Sequence, residues 1–249
     1  MKTNNKKGAA YSAIAPFYEK FSVDCDYEKW SQSICNKVLK YAPKITGVDL
    51  GCGSGYFTRA LKRVGADVRG VDKSAEMLNQ AKNNSAKENL QIQFLIGDIK
   101  TFKPLKKVGF ITVINDGYNY LDQSELPKAF LRASENLVKG GTLIFDVSSE
   151  YKLKTIIGNN LFAEDYDDVT YLWFNTLKDE SVDMDLTFFV LKGDKYERFD
   201  ESQTQYVHTL EKIKEGLCNA GFEIAEIYDE NGEYPHPKSL KINFVAIKK

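Results

Sequence analysis

The sequence predicts an α/β protein. Its sheet is doubly wound with seven strands, mostly parallel with an antiparallel last strand, and a small antiparallel β insertion follows strand 5. Three observations predict this. Between Thr46 and Asp72, short apolar runs flank a segment of helical period, which makes a βαβ unit and hence parallel strands. From Val169 to Leu191 the hydrophobic period changes to two. The final apolar runs, FEIAEIYD and KINFVAIKK, have only the turn-rich NGEYPHPKS between them, so they close the sheet as a hairpin.

Each element follows from its own pattern. YEKWSQSICNKVLKY, from Tyr27 to Tyr41, places Trp30, Ile34, Val38 and Tyr41 at helical spacing, and Pro43 stops it. TGVDL is a buried strand running into GCGSG, after which Phe57, Ala60, Leu61 and Val64 mark a helix face. ADVRGVD is the second strand, and a helix from about Ser74 carries Met77, Leu78 and Ala81. QIQFLIGD and GFITVIND are the third and fourth strands. A helix bearing Leu126, Phe130, Ala133 and Leu137 follows, with Pro127 tolerated in its first turn. The Gly140-Gly141 turn leads to TLIFDV, the fifth strand, apolar throughout as a strand covered on both faces should be. The insertion then alternates through Val182, Met184, Leu186, Phe188 and Val190, turns at Lys192-Gly193-Asp194-Lys195 and returns through YERFDESQTQYVH. After it, Leu210, Ile213 and Leu217 mark a last helix, stopped by Gly221. The expected organisation is a helical cap over 1–45, a ligand-binding α/β domain over 46–149 and 208–249, and a β cover over 150–207.

Composition narrows the function. The 249 residues are 43% hydrophobic and 28% charged, which fits a globular chain and neither a disordered nor a fibrous one. A formal net charge of -1 supplies no footprint for a phosphate backbone, so no nucleic-acid partner is expected. Cys25, Cys35, Cys52 and Cys218 are scattered without zinc or disulfide spacing, and the plain reading is reduced thiols. No apolar run is long enough for a membrane span, so the expectation is a cytoplasmic protein with no membrane partner.

VDLGCGSG carries the chemistry. Glycines there let backbone approach a ligand closely at the end of a buried strand. Asp72 ends the next strand about 20 residues after the loop, where a carboxylate can accept from two ribose hydroxyls. A nicotinamide oxidoreductase fits up to this point. The spacing Asp49, Gly51, Gly53, Gly55 is DxGxGxG, however, and not the GxGxxG that cradles a pyrophosphate. Gly97-Asp98-Ile99 closes the third strand, with a carboxylate and an amide where an adenine edge would lie, and the antiparallel last strand is foreign to dinucleotide folds.

In this order VDLGCGSG, GVDKSAEML, LIGDI, INDGYNYL and LVKGGTLIFDV resemble the successive motifs of class I S-adenosylmethionine-dependent methyltransferases, whose sheet is Rossmann-like. The insertion after strand 5 makes the chain similar to the glycine and sugar-amine N-methyltransferases and their bacterial relatives. The resemblance implies S-adenosylmethionine as cofactor and S-adenosylhomocysteine as product. It implies Asp49, Gly51, Cys52 and Gly53 around the methionine moiety, Asp72 on the ribose, Lys73 and Met77 beside the adenine, and Asp98 with Ile99 at its edge. Asn115, Asp116 and Gly117 would close the fourth strand near the methionine amino group and the acceptor, and Tyr11 and Tyr18 would fold over the cofactor.

Methyl transfer asks for in-line placement of a nucleophile, and for a general base only if the nucleophile arrives protonated. Asp116, Tyr120 and His208 are the candidates for that base. The bland alternatives are a packing role for Tyr118 and Tyr120, a cap for His208, and a small turn residue for Cys52. The acidic insertion reads either as a solvated sheet face or as a lid, with Glu197, Asp200 and Glu201, that favours an amine. Asp116 and Asp146 both end strands on the reacting edge, yet no third metal ligand stands out, so no metal site is assigned. The function expected is methyl transfer to nitrogen or oxygen of a small metabolite. NDGYNYL lacks both the Pro-Pro-aromatic turn of adenine-amino methylation and the Pro-Cys of cytosine C5 chemistry. The alternatives are a nicotinamide oxidoreductase and a catalytically silent S-adenosylmethionine-binding module. Oligomeric state is not legible.

Overall fold

The computed structural model describes Ala15 and residues 26–249. Helix α1, Tyr27–Tyr41, starts where Asp26 accepts the Lys29 amide at 3.0 Å. It buries Ile34, Cys35 and Val38 with Phe57, Leu61 and Ile144 on one face of the sheet. Then come β1 (Thr46–Leu50), α2 (Tyr56–Arg63), β2 (Asp67–Asp72), α3 (Ala75–Lys87), β3 (Gln93–Ile96) and β4 (Val108–Val113). Ser74 caps α3 by accepting the Met77 amide at 3.2 Å. A single 3-10 turn, Gly117–Tyr120, links β4 to α4 (Leu126–Asn136), which opens on Pro127, and β5 spans Leu137–Ser148.

The chain closes with α5 (Leu210–Asn219), β10 (Phe222–Asp229) and β11 (Lys241–Lys248). The large sheet has the order β10-β11-β5-β4-β1-β2-β3, and β11 runs antiparallel to both its neighbours. The last hairpin is thus as expected, with β11 tucked beside β5 and β10 left at the edge. Strand order reverses between β1 and β4, which pair in parallel, so a crevice opens beyond their carboxyl ends. On the other face Phe130, Phe145 and Phe244 form the larger core with Leu137, Leu143 and Leu217. Strand β5 begins earlier than TLIFDV alone suggests. Val108 pairs with Leu137 and Phe110 with Thr142, so the Gly140-Gly141 segment is a bulge within the strand.

The insertion is a second sheet, β6 (Leu161–Asp165), β7 (Val169–Leu177), β8 (Ser181–Lys192) and β9 (Lys195–Tyr206), antiparallel throughout. The alternation in β8 fulfils its expectation, with Val182, Met184, Phe188 and Val190 buried on one face. A π-helical turn, Lys152–Ile157, packs Leu153 and Ile157 against Val182, Met184 and Val207. Neither that turn nor β6 carries a periodic signal long enough to read from sequence. Cys35, Cys52 and Cys218 are free thiols.

Candidate functional site

A cavity of about 410 Å³ lies at the carboxyl ends of β1 to β4, within the size range of small-ligand sites. Its floor is the glycine loop after β1. The amides of Gly51 and Cys52 both donate to the Val71 carbonyl, at 2.7 and 3.0 Å, which ties the loop to β2. Gly51 and Gly53 adopt φ of +69° and +51°, where a side chain is strained. A Cβ at Gly51 would come within 3.2 Å of Ile99 Cδ1, and one at Gly53 within 3.2 Å of Met77 Cε. Bare backbone therefore faces the cavity, hemmed in by side chains from beyond β3 and from α3.

Carboxylates from the ends of three strands line that floor. Asp49 is 2% exposed and accepts from the hydroxyls of Thr58 at 2.5 Å and Thr112 at 2.7 Å. Burial pushes its carboxyl up to about 6, the two hydroxyls offsetting only part of the desolvation. Asp72 accepts the Gly53 amide on one oxygen and the Ser74 amide on the other, each at 2.9 Å. One carboxylate thus fixes the glycine loop and the start of α3 while still facing the cavity. Asp98 accepts the Lys100 amide at 2.8 Å and is half-buried.

Beyond β4, Asn115 and Asp116 stand side by side in the left-handed region, at φ +70° and +64°. Asn115 lines the cavity and donates from Nδ2 to the Tyr27 hydroxyl at 3.2 Å. The Asp116 carboxylate turns to Lys241 at 3.2 Å and Lys152 at 3.5 Å. Burial works against its charge, and the two ammoniums outweigh burial, so its carboxyl sits below the usual range. Asp146 joins the same cluster, 2.6 Å from Lys241. Both strand-end carboxylates thus face lysines, and among the described residues no cluster of His, Cys, Asp and Glu is arranged to hold a metal ion.

Tyr118 is fully buried, edge-on to Phe130 and Phe145, and packs in the core. Tyr120 does line the cavity. Its hydroxyl donates to Gln203 Oε1 at 3.4 Å and accepts from Gln205 Nε2 at 3.3 Å, so it joins the crevice to β9 of the insertion. His208 is buried with Nε2 at 3.0 Å from the Leu121 carbonyl and 3.3 Å from that of Tyr118. Those contacts place a donated proton on Nε2, and burial lowers the ring's pKa, so it is a neutral clasp between β9 and the turn after β4. Neither His208 nor the Asp116 side chain is on the cavity wall, which leaves Tyr120 as the sequence-derived base candidate that reaches it.

The cofactor candidates come together. Asp49, Gly51, Cys52, Gly53, Asp72, Lys73, Met77, Asp98, Ile99, Asn115 and Gly117 all border this cavity. Tyr11 and Tyr18 lie outside the described residues. Cys52 packs with Leu78, Ala81 and Phe94, and burial pushes its thiol well up, so it serves as a small apolar residue and not a nucleophile. The sequence reading missed an aromatic wall of Tyr27, Tyr56 and Phe57. The Tyr27 ring lies 5.0 Å from that of Tyr56 and 5.5 Å from that of Phe57. Tyr56-Phe57 directly follows the glycine loop, and that adjacency was the available signal. Rings at this position suit a cationic sulfur centre.

Strand-end carboxylates, bare loop backbone and aromatic rings at the carboxyl edge of a doubly wound sheet define a class: enzymes that bind an adenosyl cofactor at the switch point. Comparison with known proteins makes the assignment specific. Residues 48–141 match the family described as "Methyltransferase domain". A Geobacillus sp. protein that carries a methyltransferase name is 32% identical over 247 residues, spanning 96% of this chain and 99% of its own. The crystal structure of an S-adenosylmethionine-dependent methyltransferase from Clostridium acetobutylicum superposes with a TM-score of 0.87 at 32% identity, covering 96% of this chain and 99% of the other. The sugar N-methyltransferase KedS8 from a Streptoalloteichus species shares the fold at TM-score 0.78 and 16% identity, over 100% of this chain and 98% of that one. The chain belongs to the S-adenosylmethionine-dependent methyltransferases. The nicotinamide alternative is thereby set aside, in accord with DxGxGxG in place of a pyrophosphate loop.

Proposed function

We propose that the enzyme moves the methyl group of S-adenosylmethionine to a nitrogen or oxygen of a small metabolite held in the cavity that Tyr120 borders. The observation that carries this reading is the bridge from Tyr120, on the cavity wall, to Gln203 and Gln205 of the insertion. Two side-chain amides on one phenol fix the Tyr120 hydroxyl at the edge of a cavity of small-ligand size.

In this reading Asp72 and Asp98 hold the adenosine, and Asp49, Gly51, Gly53 and Asn115 hold the amino-acid end. The bound cofactor supplies an electrophilic methyl carbon on a positively charged sulfur. The protein's part is to align the acceptor lone pair with that carbon, exclude water, and leave a cation between rings and carboxylates. Tyr120 orients the acceptor through its fixed hydroxyl, and an amine that arrives neutral attacks with its own lone pair and needs no base from the protein.

An amine is the favoured acceptor, in line with the sugar N-methyltransferase that shares the fold. The acidic insertion contributes selectively to this preference. Asp200 sits on the other face of β9 from Gln203 and pairs with Arg198 at 2.7 Å, and Glu197 is exposed, whereas Glu201 is buried on the Gln203 side. Of the three, Glu201 alone is buried and shares the face of β9 that carries Gln203 and Gln205.

Incubation with methyl-labelled cofactor and separate pools of amines, alcohols, nucleic acid and protein tests the proposal. Label in a small amine or alcohol, reduced in Tyr120→Phe, is the expected result. Label only in macromolecules, or binding of S-adenosylhomocysteine without any turnover, would replace it with a macromolecular methyltransferase or a silent binding module.

A further inference from the structure

Asp146 lies two residues before the end of β5, a strand that does not border the cavity, yet its carboxylate is fully buried and clamps a turn that does. One oxygen accepts the Asn115 amide at 2.6 Å and the other accepts the Asp116 amide at 3.0 Å. These are the two successive non-glycine residues held at positive φ, a conformation that persists only where surrounding contacts over-determine it. Lys241, from β11, places its ammonium 2.6 Å from Asp146 and 4.1 Å above the Trp30 ring. Glu230 accepts the amides of Leu240 and Lys241 at 3.0 and 3.1 Å, which fixes where β11 begins.

From this geometry we infer that Asp146 and Lys241 are a positioning pair for the amino-acid end of the cofactor, acting through the left-handed Asn115-Asp116 turn. The inference rests on the cofactor placement proposed above. Strand order β4-β1-β2-β3 puts Asn115 at one end of the crevice and Asp98 at the other, with Asp72 and the glycine loop between them. A ligand whose adenosine occupies Asp72 and Asp98 therefore extends its remaining end toward Asn115. In Asp146→Asn one clamp atom becomes a donor facing an N–H, so the two amides can no longer both be satisfied. In Lys241→Met the stem over Trp30 is kept and the charge that balances Asp146 is lost.

Two ligands separate this role from general destabilisation: S-adenosylhomocysteine, and 5′-deoxy-5′-methylthioadenosine, which has the same nucleoside and no amino-acid end. Calorimetric titration of the full chain should show Asp146→Asn and Lys241→Met binding S-adenosylhomocysteine at least tenfold more weakly, and methylthioadenosine within about twofold of the parent. Lys241→Arg should restore most of the lost affinity. Equal losses for both ligands, or no loss for either, would overturn the inference. Failure of the unsubstituted protein to bind either ligand would overturn the cofactor placement, and the inference with it. If Asp146→Asn does not fold, the contrast between Lys241→Met and Lys241→Arg decides.

Discussion

Removing the charge from Asp49 should change how stability depends on pH, with a sign that can be worked out beforehand. The fold buries this carboxyl almost completely and gives it two hydroxyls as hydrogen-bond donors, so its pKa rises from an ordinary 3.8 to about 6. A rise of that size is a preference of about 3 kcal/mol for the neutral form in the folded state. The raised value means that Asp49 contributes stability fully below pH about 4 and loses it as pH climbs through about 6. An asparagine keeps one acceptor for one threonine and offers a donor to the other, and it does not titrate. Urea unfolding of both proteins at pH 4.5 and 7.5 should therefore show the Asp49→Asn variant gaining about 2 kcal/mol relative to the parent at the higher pH. Comparing the two proteins cancels the carboxylates that do not interact with Asp49, Asp72 being the neighbour that does. A difference that stays constant across this range would show Asp49 to be ionised throughout, and the desolvation argument would fail.

The same group should couple cofactor binding to protons. A cationic ammonium near Asp49 favours its ionised form, so binding of S-adenosylhomocysteine near pH 6 should release a proton; heats independent of the buffer's ionisation enthalpy would contradict this. Asp72→Asn should weaken S-adenosylhomocysteine by about 10- to 150-fold in titration, the equivalent of about 1.5–3 kcal/mol for charge-assisted hydrogen bonds, and an unchanged Kd would remove Asp72 from the site. Tyr118→Phe deletes a buried hydroxyl that has no partner among the described residues, so thermal stability should hold or rise by about 1 kcal/mol with activity kept; loss of turnover would return Tyr118 to the catalytic candidates.

The glycine loop and the carboxylates of β1 to β3 were legible because the need they serve is local. VDLGCGSG must turn sharply at the end of a buried strand, and Asp72 and Asp98 follow their own strands directly. The Tyr27-to-Tyr41 helix was equally plain, being patterned throughout and stopped by Pro43. The end of β4 was harder to read. INDGYNYL announces a polar turn, but whether Asp116 faces the cavity or two lysines depends on Lys152 and Lys241, which come from distant parts of the chain. His208 reads from sequence as a candidate base or, more often, as a cap or surface residue, until the carbonyls of Tyr118 and Leu121 are seen beside it. In the insertion, charge was visible and sidedness was not: Asp200 and Glu201 are adjacent in sequence and point to opposite faces of β9.

Where the adenosine lies decides the role of every residue in the crevice, and a crystal structure with S-adenosylhomocysteine measures that. It should show ribose hydroxyls on Asp72, the adenine beside Asp98 and Met77, and the sulfur over the Gly51–Gly53 backbone facing Tyr120. A nucleoside bound in the reverse direction along the crevice, or away from these carboxylates, would contradict it.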